Sequence, residues 1–269
     1  MEKYDVIIFM GQSNMQGQSG SITETDVVDN AFEYKFLSDE LVPLKTPVGE
    51  NIGYDLKETF AYDEKRDGEW RKVTALGTPV DNCTSLVPNF CRKYIAVTSR
   101  KVVAVHAAKG ATVISEWTPD AKIFAVLSAK IKACLTKLGE KAGDIYGVWL
   151  QGESDAIAST DTETYAKKLT AIKDELKRKF GLKKFGVIKV GNFTFDERDE
   201  RIFNAQENLC KNDGDFVMLT RVTAKLLAAD GYTYVHGHYN AKGQEIIGNI
   251  AGYNLGAFIT GKPFVADEF

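Results

Sequence analysis

The sequence has little net charge, no long apolar stretch and few histidines. Its 269 residues include 34 basic and 37 acidic side chains, a formal charge of −3, and three histidines. This balance excludes the basic stripe that is typical of a dedicated nucleic-acid-binding protein. No apolar run approaches the roughly 20 residues that span a bilayer. We therefore expect neither nucleic acid nor a membrane among the partners.

Cysteine is also scarce, and no CxxC pair is present. The four cysteines are Cys83, Cys91, Cys134 and Cys210. The N-terminus enters the apolar run Val6–Met10 directly, without the basic start, longer apolar stretch and cleavage site of a signal peptide. These features predict free thiols rather than disulfides and a cytoplasmic protein, or a secreted one if a leader was removed.

The chain instead shows an alternation of apolar strands with helical segments. The predicted strands are Val6–Met10, Val102–His106, Ile145–Leu150, Phe185–Val190 and Phe216–Leu219. Helical periodicity runs through Asp120–Leu138, Thr160–Phe180 and the stretch after Asn240. Continuous apolar strands belong to sheets covered on both faces. The alternation predicts an α/β protein with a central, mostly parallel, five-stranded sheet.

The length fits a single domain over residues 1–269. Residues from about 17 to 80 do not follow the alternation, because they are polar, rich in turn residues and carry scattered aromatics. We interpret this segment as an irregular insertion near the functional site.

Parallel sheets of this kind bind ligands at the carboxyl ends of their strands. The first strand is followed by Gly11–Gly17, in which Ser13 is either a turn and cap residue or an exposed nucleophile. No GxSxG motif is present, so this is not the nucleophile elbow of α/β-hydrolases. After the second strand, the backbone N–H of Gly110 is a candidate donor to an oxyanion.

The third strand is followed by Gln151 and Glu153, and two histidines precede the last helix. The Gln151 amide is a second candidate oxyanion donor, whereas Glu153 would suit a glycosidase only with a second carboxylate nearby. His236 and His238 are candidate bases, and a metal site is disfavoured because no third ligand has recognisable spacing. A serine, oxyanion donors and a histidine at strand ends are what acyl transfer requires.

Four segments together resemble one family. They are GQSNM at 11–15, the Gly110 segment that ends in Glu116-Trp117, WLQGESDA at 149–156 and HYNAKGQ at 238–244. The sequence resembles the sialate O-acetylesterase and acetylxylan esterase branch of the SGNH (GDSL-like) hydrolases, over residues 4 to about 258. The resemblance implies a three-layer, flavodoxin-like sandwich and a serine esterase that removes acetyl groups from carbohydrates without metal or cofactor.

The resemblance also implies a role for each matching residue. Ser13 would be the nucleophile, and its own amide, the Gly110 amide and the Gln151 side chain would form the oxyanion hole. His238 is preferred over His236 as the base because Gly243 follows it at the family's spacing. The neighbouring polar residues are expected to bind substrate: Gln12, Asn14, Glu153 and His236.

The sequence departs from the family at the third member of the triad. The family's DxxH places an aspartate three residues before the histidine, where this chain has Val235. Asp230 is the nearest candidate for orienting His238, and a backbone carbonyl or another carboxylate is the alternative. Two rival functions stay open, an esterase or thioesterase acting on a non-carbohydrate ester, and a carbohydrate-binding relative without activity. A nucleotide-binding protein is disfavoured because neither GxGxxG nor GxxxxGK follows any strand.

Overall fold

Parallel strands in the middle of the molecule position the site. The computed structural model describes residues 2–22, 26–50, 61–66, 69–73, 83–233 and 237–267, of which 61–66 and 69–73 only as backbone. The described strands are β1 (Tyr4–Gly11), β2 (Ala31–Lys35), β3 (Glu40–Pro43), β4 (Ala61–Arg66), β5 (Glu69–Val73), β6 (Lys101–Ala108), β7 (Ala142–Leu150), β8 (Lys184–Ile188) and β9 (Phe216–Thr220). Seven of them form one sheet in the order β3-β2-β6-β1-β7-β8-β9. In this sheet only β3 runs antiparallel to its neighbour, and β4 and β5 form a separate antiparallel pair.

The predicted α/β class is confirmed, with a correction to the number of strands. Four of the five predicted apolar runs lie in β1, β6, β7 and β9, and the fifth, Phe185–Val190, overlaps β8 and extends two residues past its end. The sheet has seven strands because β2 and β3, both within the segment predicted as an irregular insertion, extend it at the β6 edge. Edge strands carry more polar side chains than central ones, and β3 is exposed or half-buried throughout. Continuous apolar runs therefore do not reveal them.

Helices cover both faces of the sheet. They are α1 (Ser13–Gln16), α2 (Val87–Thr98), α3 (Lys122–Leu138), α4 (Glu153–Ile157), α5 (Thr162–Phe180), α6 (Glu197–Asn212) and α7 (Ala241–Thr260). Residues of α3, α5 and α6 share one core cluster with Val6, Ile8 and Met10 of β1. Residues of α2 and α7 share a second cluster with Ile7 and Phe9 on the other face. Because side chains alternate along a strand, β1 supplies both cores, and the result is the predicted three-layer sandwich.

The three central strands end at the same level. β1 pairs in parallel with β6 and with β7, so that Gly11 lies opposite Ala108 on one side and Leu150 on the other. The loops that follow these strands therefore meet at one edge of the sheet. This register brings together segments that are distant in sequence.

The helix ends follow local chemistry. The predicted helix from Thr160 begins at Thr162, and Asp161 caps it by accepting a hydrogen bond from the Thr164 N–H. Asn240 caps α7 in the same way, by accepting from the Gly243 N–H. Among the described helices none is long and apolar enough to cross a membrane. All four cysteines lie in the described part of the chain, and all are free thiols.

A cluster of four charged residues, three of them buried, joins the insertion to α3. We call Glu33, Lys35, Glu50 and Lys130 the edge cluster. Lys130 Nζ lies 2.8 Å from Glu50 Oε1, although the lysine is fully buried, and Lys35 Nζ lies 2.8 Å from Glu33 Oε2. Burial is the largest influence on Glu33 and raises its pKa, while the two lysines act in the opposite direction. Each charge of the cluster therefore has an opposite charge beside it.

Candidate active site

The turn that follows β1 presents Ser13. Gly11 has a φ of +144°, and a Cβ added there would lie 1.9 Å from the carbonyl oxygen of Leu150. Only glycine fits this position, which lets the chain leave the strand and start α1 at Ser13. Within the described part of the chain, the Ser13 N–H donates no backbone hydrogen bond. The N–H of Ser13 is therefore an open donor beside its own hydroxyl.

His238 lies against this serine. Its Nε2 is 2.8 Å from Ser13 Oγ, although 225 residues separate the two in sequence. The histidine is half-buried and lies in a short loop between Thr233, which forms a β-bridge with Tyr239, and the start of α7. A hydrogen-bonded serine and histidine can form a nucleophile and its general base.

Asn14 holds the backbone on both sides of His238. Its Oδ1 accepts a hydrogen bond from the Tyr239 N–H at 3.0 Å, and its Nδ2 donates to the Gly237 carbonyl at 3.3 Å. Nδ2 also donates to Glu153 Oε1 at 2.7 Å. We call these residues the Asn14 clamp: Asn14, Glu153, Gly237 and Tyr239. The residue that follows the serine in sequence therefore positions the loop that carries the histidine.

Glu153 is a buried carboxylate with unused hydrogen-bonding capacity. Its side chain is 3% exposed, and its Oε2 has no hydrogen-bond partner among the described residues. Burial raises the pKa of Glu153 to about 7, against the hydrogen bond from Asn14, which lowers it. Its described hydrogen-bond partner is the Asn14 amide, which places Glu153 in the support of the Ser13 turn, and its predicted role in substrate binding stays a prediction.

Gln151 lies below the site and is fully buried. Its Nε2 donates to the Thr112 carbonyl at 2.9 Å and to Asp155 Oδ2 at 2.5 Å, with Gln12 Oε1 at 3.3 Å. Its Oε1 accepts from the Tyr165 hydroxyl at 2.9 Å. Because a side-chain amide has two hydrogens, Gln151 has none left for an oxyanion. The predicted oxyanion role of Gln151 does not fit these contacts.

Gln151 and Asp155 together anchor the segment after β6. Asp155 Oδ2 accepts a hydrogen bond from the Ile114 N–H at 2.8 Å, and Asp155 Oδ1 accepts from the Thr160 hydroxyl at 2.9 Å. Burial raises the pKa of Asp155. Asp155 and Gln151 reach the segment that carries Gly110, and Glu153 reaches Asn14. The polar residues of QGESD therefore act as a scaffold for the neighbouring strand ends.

Gly110 lies next to the serine, and its N–H is occupied. A Cβ added at Gly110 would lie 3.6 Å from Ser13 Cβ. The Gly110 N–H donates to Gln16 Oε1 at 3.0 Å, and the same oxygen accepts from Gln18 Nε2 at 3.2 Å. Gln16 must therefore release this N–H before the donor can bind a substrate oxygen.

Gln12 and Asn14, two further predicted substrate-binding residues, are also buried. Gln12 is 3% exposed, and its Oε1 accepts from the Ser154 N–H at 3.3 Å. Asn14 is 1% exposed, and its carbonyl accepts from Gln244 Nε2 at 2.9 Å. Gln12 Oε1 and the side chain and carbonyl of Asn14 contact protein, which indicates a role in holding the turn, and the predicted contact of these residues with substrate stays a prediction.

The predicted third member of the triad does not join the site. Asp230 is exposed, and its carboxylate makes no hydrogen bond or ion pair to any described residue. His236 lies outside the described residues. The remaining histidine, His106, is buried within β6, where Nε2 lies 3.2 Å from the Met15 carbonyl and burial lowers the pKa to about 3. His106 therefore stays neutral under the turn.

Comparisons with known proteins identify relatives of this fold. The family model "Carbohydrate esterase, sialic acid-specific acetylesterase" matches residues 3–254. A protein from Arabidopsis thaliana superposes with a TM-score of 0.65 at 19% identity, over 95% of this chain and 99% of that chain. NanS superposes with a TM-score of 0.60 at 12% identity, over 96% and 98%. A catalytic variant of Axe2, an acetylxylan esterase from Geobacillus stearothermophilus, superposes with a TM-score of 0.51 at 11% identity, over 93% of each chain. No curated protein sequence matches the chain.

Proposed function

This chain belongs to the carbohydrate esterase family of sialic acid-specific acetylesterases, which makes it a carboxylic ester hydrolase, and on that premise we propose that it removes O-acetyl groups from carbohydrates by a serine mechanism. The observation that carries the proposal is the 2.8 Å contact between Ser13 Oγ and His238 Nε2 at the carboxyl edge of the sheet. The similarity of the fold to NanS and to an acetylxylan esterase supports a carbohydrate substrate.

The first half-reaction transfers the acetyl group to the enzyme. His238 Nε2 accepts the hydroxyl proton of Ser13 while Oγ attacks the carbonyl carbon of the ester. The resulting tetrahedral intermediate carries its negative charge on the former carbonyl oxygen. When the carbon–oxygen bond to the sugar breaks, the sugar oxygen takes the proton from His238, and an acetyl-serine remains.

The second half-reaction releases acetate. A water molecule gives a proton to His238 Nε2 and attacks the acetyl carbon. The bond to Ser13 Oγ then breaks, the serine oxygen recovers the proton, and acetic acid leaves. The same imidazole thus serves as base and then as acid in each half.

Backbone donors stabilise the oxyanion in this mechanism. The Ser13 N–H is open to a ligand, and the Gly110 N–H becomes available when Gln16 Oε1 moves away. Preorganised donors of this kind contribute about 10²–10³-fold each in kcat in a measured protease case. The Gln151 side chain takes no part, because its hydrogens are committed to Thr112 and Asp155.

We assign the reaction to the pair Ser13 and His238, without Asp230. The Asn14 clamp positions the loop that carries His238, because it fixes the peptide groups on both sides of the histidine. A carboxylate acts on the imidazole ring itself, whereas the clamp acts on the loop that carries the ring.

The proposal is tested with the Ser13→Ala variant and two substrates, p-nitrophenyl acetate and an O-acetylated sugar, with acetate release as the measurement. We expect loss of at least about 10³-fold in kcat on both, since the nucleophile is gone. Ser128→Ala is the matched control, because that buried hydroxyl has no hydrogen-bond partner in the described part of the chain. Full activity of Ser13→Ala would overturn the mechanism. Cleavage of p-nitrophenyl acetate without any acetylated sugar would overturn the carbohydrate substrate.

A further inference from the structure

An aromatic side chain projects into solvent from the loop that follows β8. Phe195 is 73% exposed, more than any other large hydrophobic side chain in the described segments. Isolated exposed apolar residues are common on protein surfaces. Exposure alone therefore assigns no role to this ring, and the backbone and surroundings of the loop decide the question.

The backbone of Phe195 is held in a conformation that disfavours phenylalanine. Its φ is +58°, in the left-handed region where glycine or asparagine is favoured. Such conformations persist only when the surrounding structure imposes them, and they occur often at ligand-binding sites.

A buried carboxylate imposes this conformation. Asp199 is 2% exposed, and its Oδ2 accepts hydrogen bonds from three successive backbone N–H groups, at 3.0 Å from Phe193, 3.0 Å from Thr194 and 2.7 Å from Phe195. Charge-assisted hydrogen bonds of this kind are about twice as strong as neutral ones. The loop is therefore rigidly anchored, and the ring of Phe195 is held outside the core.

The same loop contacts the two residues that flank His238 in sequence. A Cβ added at Gly191 would lie 2.0 Å from Tyr239 Oη, and a Cβ added at Gly237 would lie 2.8 Å from Cδ2 of Phe193. Gly237 and Tyr239 are the direct neighbours of His238 in sequence. The Cα atoms of residues 193 and 195 are at most about 7.6 Å apart. Phe195 therefore lies two residues along the chain from a side chain that contacts the histidine loop.

We propose that Phe195 is a platform on which a pyranose ring of the acetylated carbohydrate stacks. The inference rests on the proposed function and adds the residue that selects a sugar over a simple ester. One face of a pyranose presents C–H groups, which are apolar and slightly positive, and the face of an aromatic ring is apolar and slightly negative. Contact between the two faces removes apolar surface from water on both partners. A neutral sugar needs no charged group for this contact.

The test compares Phe195→Ala with the wild-type enzyme on an acetylated oligosaccharide and on p-nitrophenyl acetate. We expect the ratio of kcat/KM on the sugar to kcat/KM on the small ester to fall about tenfold, mainly through KM. The ratio should fall similarly in Phe195→Leu, because leucine keeps apolar volume but has no aromatic ring. Phe195→Trp keeps a ring and should keep the wild-type ratio. An unchanged ratio in Phe195→Ala would overturn the inference.

Phe258→Ala is the matched control. That ring is 39% exposed and lies beside Lys184 at the opposite, amino end of β8, with 5.5 Å between Nζ and the ring centroid. We expect its substrate ratio to equal that of the wild type. If the wild-type enzyme cleaves neither ester, the proposed function itself fails. If it cleaves both and Phe195→Ala and Phe195→Leu keep the wild-type ratio, as Phe258→Ala should, the inference alone fails.

A second measurement separates sugar binding from a structural role of the ring. Phe195→Gly relieves the left-handed backbone, so its Tm should rise by about 2 °C, while its substrate ratio falls as in Phe195→Ala. A ring that served stability would give the opposite result, a lower Tm with an unchanged ratio.

Discussion

The Asn14 clamp and the edge cluster both contain buried carboxylates, which differ in the charge of their partners. In the edge cluster, Glu50 lies 2.8 Å from the ammonium group of Lys130, and Glu33 lies 2.8 Å from that of Lys35. In the clamp, Glu153 accepts from the neutral amide of Asn14, and no described cation pairs with it. Paired charges hold the insertion against α3. An uncompensated carboxylate beside the nucleophile turn instead costs stability and fixes geometry.

The difference separates stability from function in this molecule. Removal of one partner from a paired buried cluster leaves a stranded charge, which destabilises the fold strongly. Removal of a member of the clamp should affect turnover more than folding, because its hydrogen bonds position two loops that carry the reacting groups. Three substitutions test this contrast, and a fourth concerns the hydrogen bond between Gln16 and the Gly110 N–H beside the clamp.

The largest expected effect is a loss of stability when the edge cluster is broken. Lys130→Met leaves Glu50 buried without its cation, and we expect a loss of about 3–5 kcal/mol in the free energy of unfolding. Denaturant titration measures it, with the exposed Lys132→Met on the same helix as the control, for which a change within about 0.5 kcal/mol is expected. The activity per folded molecule should not change. A loss below about 1 kcal/mol would show that the pair is not a buried charge pair in solution.

Asn14→Ala breaks the clamp at its centre. We expect kcat to fall about 100-fold, about 2.7 kcal/mol in activation free energy, because small misplacements of reacting groups have effects of this size. KM should change by less than about threefold. Asn254→Ala is the control, since Asn254 is also a buried asparagine with backbone partners, Leu219 and Val265, and lies outside the clamp. Equal losses of kcat in both variants would contradict the positioning role.

Glu153→Gln tests the uncompensated carboxylate through pH. The pKa of Glu153 rises in the folded state from an ordinary 4.5 to about 7, so between these values the folded protein binds more protons than the unfolded one. Its stability therefore falls as pH rises through this window. Relative to wild type, the free energy of unfolding of Glu153→Gln should increase by about 2–3 kcal/mol between pH 5 and pH 8. Exposed Glu163→Gln should show no such trend, and a flat difference for Glu153→Gln would refute the raised pKa.

Gln16→Ala should have the smallest effect. It frees the Gly110 N–H from a neutral hydrogen bond. Such a bond makes a net contribution to stability of about 0.5–1.5 kcal/mol. We expect kcat/KM on p-nitrophenyl acetate to rise about threefold, and Gln16→Leu to match it, because leucine keeps the volume without the acceptor. A fall of tenfold or more in both variants would mean that the amide contributes to binding rather than competing with it.

The strands were predictable because short apolar runs rich in β-branched and aromatic residues, alternating with longer amphipathic segments, are typical of a parallel sheet covered on both faces. The match of Val6–Met10 and Val102–His106 with β1 and β6 shows this. Helix α6 was not predicted, since Glu197–Asn212 is mostly polar and buries only a narrow stripe. Helix α2 begins beside Pro88, a residue that suggests a break although it is well tolerated in a first helical turn.

For the site, the sequence was sufficient to predict which loops lie together. Parallel strand ends lie at one edge, so Ser13, Gly110 and His238 were expected together. The direction of a polar side chain at a strand end was not predictable, because the same residue can point to the ligand or into the fold. Gln151 and Glu153 point inward, where their partners come from Thr112 and Asn14, residues that no local pattern connects with them.

The separation of Ser13 from His238 by 225 residues has a consequence during synthesis of the chain on the ribosome. A ribosome that adds about 5–20 residues per second needs about 10–45 s to pass from one to the other. During that interval the growing chain carries the proposed nucleophile without the proposed base. Under the proposed mechanism, ester cleavage requires the histidine loop to have emerged and docked on Asn14, so we expect the onset of activity to follow completion of the fold.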